Sequence, residues 1–503
     1  MVRMGAEVRT AHGALRGSVA PDGVHVFLGV PYAAPPFGAD HLRPPQPVRP
    51  WDGVRDATSY GPAPPQVAPP GSAGTEWDAD TGEDCLTLNV WTPNPGAANL
   101  PVMVWIQGGM FEISATAAYD GSHFARDGVV CVVINWRPGV EGFLFLADGA
   151  ANVGLLDQVA ALEWVRDNIA AFGGDPGNVT VFGESAGAMS IGTLLSMPRA
   201  DGLFRRAILQ SGAAHHASPA PVGVNVGRGL AEKLGVPPTR EAIAAVPVGR
   251  LLVAQAELKV DILAHPDPDR WGPDMAASMM PWQPVVDGDV VPATPIERIT
   301  AGAGGGVDLL VGTNTEDWKL FLAITGEIGR VTDEMLSGPV DVHGYECVAA
   351  YGLPVVAALA AYRARSPGAS PGELLAAVQT DWWVRIPALR LADAHAPAAA
   401  GTYMYEFAWA APGLGAVHAI EVPFVFDDAR PDAPLFGPLL GGKQPPQELA
   451  HAMHAAWVAF ATVGDPGWPG YDLDRRATMR FDTTSQVVDD PRAWERALWE
   501  GVR

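Results

Sequence analysis

The 503-residue sequence contains few cysteines and no long apolar run. Three cysteines, Cys85, Cys131 and Cys347, are an odd number and far too few for a disulfide framework in a chain of this length. No stretch reaches the roughly 18 consecutive apolar residues of a membrane-spanning helix, and the first residues lack the apolar core of a signal peptide. We therefore expect a cytoplasmic protein with no membrane partner.

Positive charge is also scarce in this chain. Lysine and arginine number 33 against 56 aspartates and glutamates, which gives a formal net charge of −23. Such a charge repels nucleic acid and anionic lipid, so a small molecule is the expected partner. Apolar residues make up 48% and charged residues 18%, a balance that predicts a large buried core.

Short β-rich runs alternate with helical stretches along the chain. They cover residues 102–106, 131–135, 179–182, 207–210, 308–311 and 402–407. Near-continuous apolar strands separated by helices predict an α/β fold with a mainly parallel sheet buried on both faces. Apolar residues at helical spacing predict an amphipathic helix over residues 152–171, followed by a turn at GGDPGN.

A stretch rich in Pro, Gly and Ala at residues 61–76 indicates a surface loop rather than a linker. The candidate catalytic residues described next fall on both sides of every such stretch. We therefore expect one domain over residues 1–503.

The sequence GESAG at residues 183–187 fits the motif G-x-S-x-G and lies between a predicted strand and a predicted helix. In this setting Ser185 occupies a tight, strained turn, where neighbouring glycines avoid clashes. The helix N-terminus favours negative charge that develops beside the serine. Because serine needs a positioned base to become a nucleophile, a histidine and a carboxylate are expected later in the chain.

Twelve histidines compete for the role of base. His418 lies in a glycine-flanked loop after the strand at 402–407, where it could reach over the sheet edge. His215 follows the strand at 207–210 and is a candidate pocket residue. His451 and His454 lie one helical turn apart, a pair more typical of surface or core than of a metal site.

Two adjacent carboxylates, Glu316 and Asp317, follow the strand at 308–311 and are candidates for the acid. Adjacent side chains point in different directions, so only one of them can face the base. Spacing along the chain permits either choice.

Several segments, in order along the chain, resemble the type B carboxylesterase family, which includes the cholinesterases and the bacterial para-nitrobenzyl esterases. They are FLGVPYAAPPFG, GEDCLTLNVWTP, GGDPGNVTVFGESAG, PVVDGDVVP and GAVHAIEVPFVF. The resemblance implies an α/β-hydrolase fold whose helical insertions form a cleft. It also implies ester hydrolysis through an acyl-enzyme, with no metal and no organic cofactor.

Carried over residue by residue, the resemblance implies Ser185 as nucleophile and His418 as general acid and base. The family's catalytic glutamate falls at Asp317, which is one methylene shorter, so Asp317 is the favoured acid and Glu316 the alternative. Where relatives have H-G-G-G or H-G-G-A, this chain has QGGM at residues 107–110. The implied oxyanion donors are the backbone N–H groups of Gly109, Met110 and Ala186.

The resemblance also predicts details around the site. Alanine at position 110 in some relatives suggests that the backbone there needs no positive φ, so Met110 is expected only to narrow the pocket. The residues expected to contact substrate are Phe111, His215, Trp382 and Trp383, with ordinary core packing as the alternative for the two tryptophans. Arg43 and Glu83 match a buried salt bridge of relatives. No cysteine precedes Cys85 to form the disulfide found in cholinesterases, so packing alone is expected to hold the loop before it.

The function that follows is a carboxylesterase acting on small-molecule esters. An amide, carbamate or lactone hydrolase with the same triad is an alternative, because the fold does not determine the bond that is cleaved. A non-catalytic binding protein is a second alternative, since some members of the superfamily act in adhesion after losing the serine. The presence of Ser185, His418 and a carboxylate argues against that second alternative.

Overall fold

The structure is a computed structural model and describes residues 3–67, 77, 82–114, 116–340, 344–433 and 435–502. Its centre is a 13-stranded sheet, with a second sheet of 2 strands beside it. The strands are β1 Arg3–Arg9, β2 Ala14–Val19, β3 His25–Pro31, β4 Val54–Asp56, β5 Thr87–Thr92, β6 Leu100–Ile106, β7 Val130–Ile134, β8 Gly174–Glu184, β9 Arg206–Gln210, β10 Ser218–Pro219, β11 Val285–Val286, β12 Asp308–Asn314, β13 Thr402–Phe407, β14 Ala477–Phe481 and β15 Gln486–Asp489.

The large sheet has the order β1-β2-β3-β5-β7-β6-β8-β9-β12-β13-β14-β15, and β4 pairs with β2. Its middle, from β7 to β14, is parallel throughout. The pairs β1–β2, β2–β3, β3–β5, β5–β7 and β14–β15 are antiparallel, whereas β4 pairs with β2 in parallel. This is the α/β-hydrolase architecture that the sequence predicts, with a mainly parallel centre.

Helices cover both faces of the sheet. The α-helices are α1 Ser122–Arg126, α2 Gly139–Phe143, α3 Val153–Asn168, α4 Ala186–Leu194, α5 Ala220–Leu234, α6 Arg240–Ala244, α7 Val248–Ala264, α8 Pro268–Trp271, α9 Pro273–Ser278, α10 Pro295–Thr300, α11 Lys319–Ile324, α12 Asp333–Ser337, α13 Val355–Arg365, α14 Pro371–Thr380, α15 Ile386–His395, α16 Val422–Val425, α17 Gln447–Val463 and α18 Ala493–Leu498. Short 3₁₀ turns lie between them, and the segment Asp381–Arg385 is a π-helix.

Alternating side chains of the central strands separate the core into two layers. In β6, Val104 and Ile106 join one cluster, whereas Met103 and Trp105 join the other. Because successive residues of a strand point to opposite faces, a sheet covered on both sides needs apolar residues at every position. The strands β7 and β9 accordingly are buried along their whole length.

All six predicted strands and the helix predicted over 152–171 are confirmed, the latter as α3. The turn predicted at GGDPGN has a different form, because the structure assigns it to the start of β8. Pairing with β6 moves from Leu100–Gly174 to Val102–Val179, so β8 has three more residues than β6 over this stretch and bulges there. The glycines and proline of this segment suit a bulge as well as a turn.

Strands of the large sheet come from both ends of the chain, from β1 to β15. The single domain over residues 1–503 stays a prediction, which this shared sheet favours. Within the described residues, no helix combines the length and apolar character needed to cross a membrane. The cytoplasmic location also stays a prediction.

Two expectations drawn from relatives are wrong. Arg43 and Glu83 are both exposed, so they form no buried salt bridge. Part of the loop at 61–76 lies outside the described residues, but packing is not its only attachment. The Gln66 side chain accepts a hydrogen bond from the Ser114 N–H at 2.6 Å and donates one to the Ser114 carbonyl at 3.0 Å. This reciprocal pair of hydrogen bonds attaches the loop at 61–76 to the segment that follows residues 107–110. Residues 107–110 are the oxyanion loop, named for the donors that the family resemblance implies.

Candidate active site

Ser185 occupies the turn between β8 and α4 with φ 56° and ψ −126°. A non-glycine residue in such a region stores about 1–3 kcal/mol of strain, which the surrounding structure must hold in place. The Ser185 N–H donates to the Gln210 carbonyl of the neighbouring strand at 2.9 Å, which fixes the turn from below. The strand, strained turn and helix predicted around the serine are all present.

The two glycines of the motif are required by close backbone contacts. A Cβ added at Gly187 would lie 1.9 Å from the carbonyl oxygen of Ile106, and one added at Gly183 would lie 2.5 Å from the same atom. Both distances are far below a van der Waals contact. The strand β6 therefore approaches the turn so closely that only glycine fits on either side of Ser185.

His418 and Asp317 are joined directly. The Nδ1 atom of His418 donates to Asp317 Oδ1 at 2.8 Å, since a carboxylate can only accept. The backbone N–H of His418 donates to the Asp317 carbonyl at 3.2 Å. Asp317 is fully buried, and its second oxygen accepts from the Asn314 N–H at 2.9 Å. Both oxygens of the carboxylate are thus held in place.

Glu316, the alternative acid, points away from the histidine. One of its oxygens accepts from Lys319 Nζ at 2.7 Å and the other from the Ala416 N–H at 3.0 Å. Its side chain is 37% exposed. The geometry therefore favours Asp317 as the partner of His418, although the aspartate is shorter than the family's glutamate.

A second carboxylate faces the other nitrogen of the histidine. Glu184 Oε1 lies 3.0 Å from His418 Nε2, although it is not aligned for a hydrogen bond. Burial by itself lowers the pKa of His418, but the charge of Glu184 and the hydrogen bond that His418 donates to Asp317 outweigh it and raise the pKa to about 10. The Glu184 charge therefore favours the protonated form of His418.

A buried network behind His418 was not predicted. Glu421 accepts from Asn314 Nδ2 at 2.6 Å and from Gln210 Nε2 at 3.1 Å. Burial, followed by the charges of Glu184 and Asp317, raises the pKa of Glu421 to about 7. Asn314 also donates to the Val417 carbonyl at 2.9 Å. It therefore holds the residue next to His418 as well as the Asp317 carboxylate. The segment GAVHAIEVPFVF, which resembles the family and includes this glutamate, was the available signal.

The oxyanion loop differs from expectation in its backbone. Met110 has φ 55° and Phe111 has φ 59°, both left-handed, so the expectation that position 110 needs no positive φ is wrong. A side chain there costs about 1–2 kcal/mol. The Gly109 carbonyl accepts from the N–H groups of Glu112 and Ile113 at 2.9 and 3.0 Å, and these two bonds close the turn that imposes the conformation.

Gln107, which occupies the position of the family's histidine, anchors this loop. Its Nε2 donates to Ser114 Oγ at 2.7 Å, and Gln107 is buried. The same hydroxyl accepts from the Trp136 N–H at 3.3 Å. Gln107 thereby ties the start of the loop to its end. The loop is also packed against Ser185, because a Cβ at Gly108 would lie 2.8 Å from Ser185 Cβ.

A cavity of about 790 Å³ opens beside the site. Met110, Trp318 and Phe321 line it, together with residues of α7, α11 and the following turns. Neither Ser185 nor His418 belongs to its lining, but the Phe321 ring lies 5.4 Å from the His418 ring. Phe321 therefore joins the wall of the cavity to the histidine, and Met110 places the oxyanion loop in the same wall.

The residues predicted to contact substrate lie at different depths. The Trp383 ring is buried 4.9 Å from the His418 ring, and Trp382 is buried against Tyr351. Phe111 is fully buried and packs on Phe143 with ring centres 5.1 Å apart, away from the cavity lining. His215 lines a separate cavity of about 150 Å³. Contact of these four residues with a substrate stays a prediction.

Comparison with known proteins agrees with this architecture over the full length. The sequence profile described as "Carboxylesterase family" matches residues 5–499. The chain belongs to the carboxylesterase family. It is 35% identical to the para-nitrobenzyl esterase of Bacillus subtilis (strain 168), and the match covers 97% of each chain.

Two further carboxylesterase relatives show the same extent of similarity. The phenmedipham hydrolase of Pseudarthrobacter oxydans is 35% identical, with 94% of this chain and 95% of that protein covered. The crystal structure of a Geobacillus stearothermophilus carboxylesterase superposes with a TM-score of 0.82 at 38% identity, covering 98% of this chain and 99% of that one. The protein is thus a serine carboxylic ester hydrolase of the α/β-hydrolase fold.

Proposed function

We propose that Ser185, His418 and Asp317 form the catalytic triad of this esterase. The observation that carries the proposal is the position of His418, whose Nδ1 binds the buried Asp317 carboxylate while Nε2 lies 3.0 Å from Oε1 of Glu184, the residue that precedes Ser185. In the neutral form of His418 this arrangement fixes the tautomer that carries its proton on Nδ1, so that Nε2 can accept one. The strained turn holds Ser185 close to Gly108 of the oxyanion loop, since a Cβ added at Gly108 would lie 2.8 Å from Ser185 Cβ.

The reaction proceeds in two halves. His418 takes the Ser185 proton, Ser185 Oγ attacks the ester carbonyl, and protonated His418 returns the proton to the departing alcohol. Water then attacks the acyl-enzyme with the same help and releases the acid. The N–H groups of Gly109, Met110 and Ala186 are the proposed donors to the oxyanion, and losing one such donor costs roughly 10²- to 10³-fold in rate.

The cavity supports a substrate with a bulky apolar group. Its volume of about 790 Å³ exceeds what an acetyl or small alcohol group needs, and its walls are largely aliphatic and aromatic. Met110, a residue of the oxyanion loop, forms part of the wall of this cavity. We infer that one side of the ester, acyl or alcohol, occupies the cavity and that Met110 limits its width.

The first test is a substrate panel. Purified protein should hydrolyse p-nitrophenyl esters from acetate to dodecanoate, and Ser185→Ala should lose this turnover. The matched p-nitroanilides and phenmedipham belong in the panel, because one relative is named for that compound. Faster turnover of amides or of phenmedipham than of every ester would favour the alternative hydrolase. No turnover of any compound by folded protein would contradict the proposal.

The pH dependence of kcat/KM should reveal Glu184. Because the general base must be neutral and its pKa is raised to about 10, activity should increase with pH with a midpoint above the ordinary value of 6.5. Glu184→Gln removes one of the charges that favour the protonated histidine. We expect the midpoint to fall by about one pH unit or more.

Glu316→Gln is the matched control for this experiment. It also removes a carboxylate close to Asp317 in sequence, but one that binds Lys319 and Ala416 instead of His418. Its pH profile should therefore match that of wild type. Equal midpoints for Glu184→Gln and wild type would show that Glu184 does not act on the base.

Trimming Met110 should change acyl preference. In Met110→Ala the backbone N–H donor stays and the side chain that lines the cavity is shortened. We expect the rate on p-nitrophenyl dodecanoate relative to acetate to increase about tenfold, since one or two methylenes in an apolar pocket change specificity by about 10- to 200-fold. If the rates relative to acetate were the same in Met110→Ala and wild type at every acyl length, the Met110 side chain would not contact the acyl group.

A further inference from the structure

The π-helix Asp381–Arg385 interrupts the passage from α14 to α15. Its winding is defined by the Ile386 N–H, which donates to the carbonyl of Asp381 five residues earlier. Single π-turns inside α-helices are rare and are frequent at functional sites. None of Ser185, His418 and Asp317 lies in this segment, so its unusual winding needs a separate explanation.

Two side chains at the ends of this turn hold the loop of the triad acid. Thr380 Oγ1 accepts from the Trp318 N–H at 3.0 Å, and Arg385 Nη2 donates to the Thr315 carbonyl at 2.7 Å. The two bonded backbone groups lie on either side of Asp317 in sequence. Hydrogen bonds therefore hold the loop two residues before Asp317 and one residue after it.

The winding of the segment explains how one turn can make both contacts. In an α-helix each residue turns the chain by about 100°, so side chains five residues apart point about 140° away from each other. The wider i→i+5 turn brings two such side chains round toward the same side. Thr380 and Arg385, five residues apart, can thus reach the same loop.

Buried ion pairs fix the position of the guanidinium. Arg385 is paired with Asp381 and, at 3.3 Å, with Glu495 of α18, and all three residues are buried. Tyr362 donates to the other oxygen of Asp381 and accepts from Trp499 Nε1 at 3.0 Å. A buried charge keeps a single geometry because leaving its partners would expose it to an apolar interior.

The same segment also contacts the base. Trp383 is fully buried, with its ring 4.9 Å from the His418 ring and 4.8 Å from the Trp318 ring. The π-helix together with Thr380, the residue before it, therefore contacts the acid loop through two hydrogen bonds and the histidine through an aromatic ring.

We propose that the π-helix Asp381–Arg385 is a positioning device for the triad, in which Arg385 and Thr380 hold the acid loop so that Asp317 meets His418. The proposal rests on the triad assigned under the proposed function. Arg385 and Thr380 are positioning residues, because they touch the loop and not the reacting atoms.

Arg385→Met is the primary test, with p-nitrophenyl butyrate as substrate. A loop that shifts by about 1 Å costs on the order of 10²-fold in rate, so kcat should fall about 10- to 100-fold while KM changes less than about threefold. A looser Asp317 favours protonated His418 less, so the acid limb of the pH profile should shift to lower pH. Arg385→Lys keeps a cation and should recover part of kcat.

Arg390→Met is the matched control. Arg390 lies on α15 and donates to the carbonyls of Trp499 and Val502, so its loss weakens attachment of the C-terminal segment without touching the acid loop. Its Tm should fall, but kcat and the pH profile should stay within about twofold and 0.2 pH units of wild type. A role of Arg385 in stability alone would give this same pattern.

Thr380 provides a second, milder pair of variants if Arg385→Met does not fold. Thr380→Val removes the acceptor for the Trp318 N–H at nearly constant volume, and Thr380→Ser keeps the hydroxyl. We expect Thr380→Val to lower kcat several-fold and Thr380→Ser to keep a kcat close to that of wild type. The proposal would be overturned if Arg385→Met and Thr380→Val both kept the kcat and the pH profile of wild type. If Arg385→Met is unfolded, the same result in Thr380→Val alone would overturn it.

Failure of the underlying triad has a different signature. If turnover survives in Ser185→Ala, the proposed function fails and this inference fails with it. If turnover depends on Ser185 but not on Arg385 or Thr380, only the positioning role is overturned.

Discussion

Asp317→Asn should lower kcat on p-nitrophenyl esters by about 10⁴-fold, the loss typical of a triad aspartate that becomes an amide. Both oxygens of Asp317 accept hydrogen bonds, from His418 Nδ1 and from the Asn314 N–H. An amide has one acceptor oxygen, so one of these two donors must lose its partner. When that donor is Nδ1–H, the imidazole takes the wrong tautomer and can no longer accept the Ser185 proton.

Asp317→Glu and Glu316→Ala complete this experiment. Glutamate restores the residue that the family uses and should recover activity to the extent that the loop accepts one more methylene. Glu316→Ala should retain at least about a tenth of wild-type kcat, because Glu316 binds Lys319 and Ala416 rather than the base. A variant Glu316→Ala without turnover, beside an active Asp317→Asn, would reverse the assignment of the acid.

Gly187→Ala should be the most destabilising single methyl addition near the site. The added Cβ would meet the Ile106 carbonyl oxygen at 1.9 Å, and this obstacle is strand backbone that cannot rotate away. Either α4 must move out, which displaces Ser185, or β6 must bend. We expect a loss of more than about 3 kcal/mol in the free energy of unfolding, together with loss of esterase activity.

Gly249→Ala is the control for this substitution. Gly249 lies near the start of α7, is exposed, and has no heavy atom within 4 Å of an added Cβ. Alanine there should raise stability by up to about 1 kcal/mol and leave turnover unchanged. Denaturant unfolding of both variants and wild type, followed by two probes, gives the comparison. A Gly187→Ala variant as stable as wild type would mean that β6 does not approach the turn as described.

The parts of the site that depend on local sequence were predictable. GESAG after a strand identifies Ser185 from the chain itself, because the turn, the glycines and the helix are all local features. His418 and Asp317 lie 101 residues apart in sequence and meet across the sheet edge. Their pairing came from the resemblance to a family, since chain spacing alone left Glu316 equally possible.

The backbone of the oxyanion loop could not be predicted from composition. Methionine rarely takes a positive φ, and sequence rules place glycine there. At Met110 the conformation is imposed by the two hydrogen bonds that the Gly109 carbonyl accepts, and by Gln107 and Ser114, which tie the ends of the loop together. These contacts outweigh the preference of methionine for negative φ, because the strain at a single residue is small enough for the surrounding structure to offset.

Contacts between segments distant in sequence were also missed. Arg385 and Thr315 are separated by 70 residues, and Glu495 by a further 110 from Arg385. Nothing in the local sequence DWWVR shows a π-turn or which carbonyl its arginine reaches. Such positions become visible only when the fold brings the segments together.

The most direct test of the account is covalent trapping of the nucleophile. Incubation with a p-nitrophenyl phosphonate ester, which transfers its phosphonyl group to an activated serine and releases p-nitrophenolate, should yield one stable adduct per chain. Peptide mapping by mass spectrometry should place the adduct on Ser185, with one equivalent of p-nitrophenolate released and esterase activity lost in proportion. Asp317→Asn should label much more slowly. Inactivation with the adduct on another residue, or full labelling of Ser185→Ala, would contradict the account.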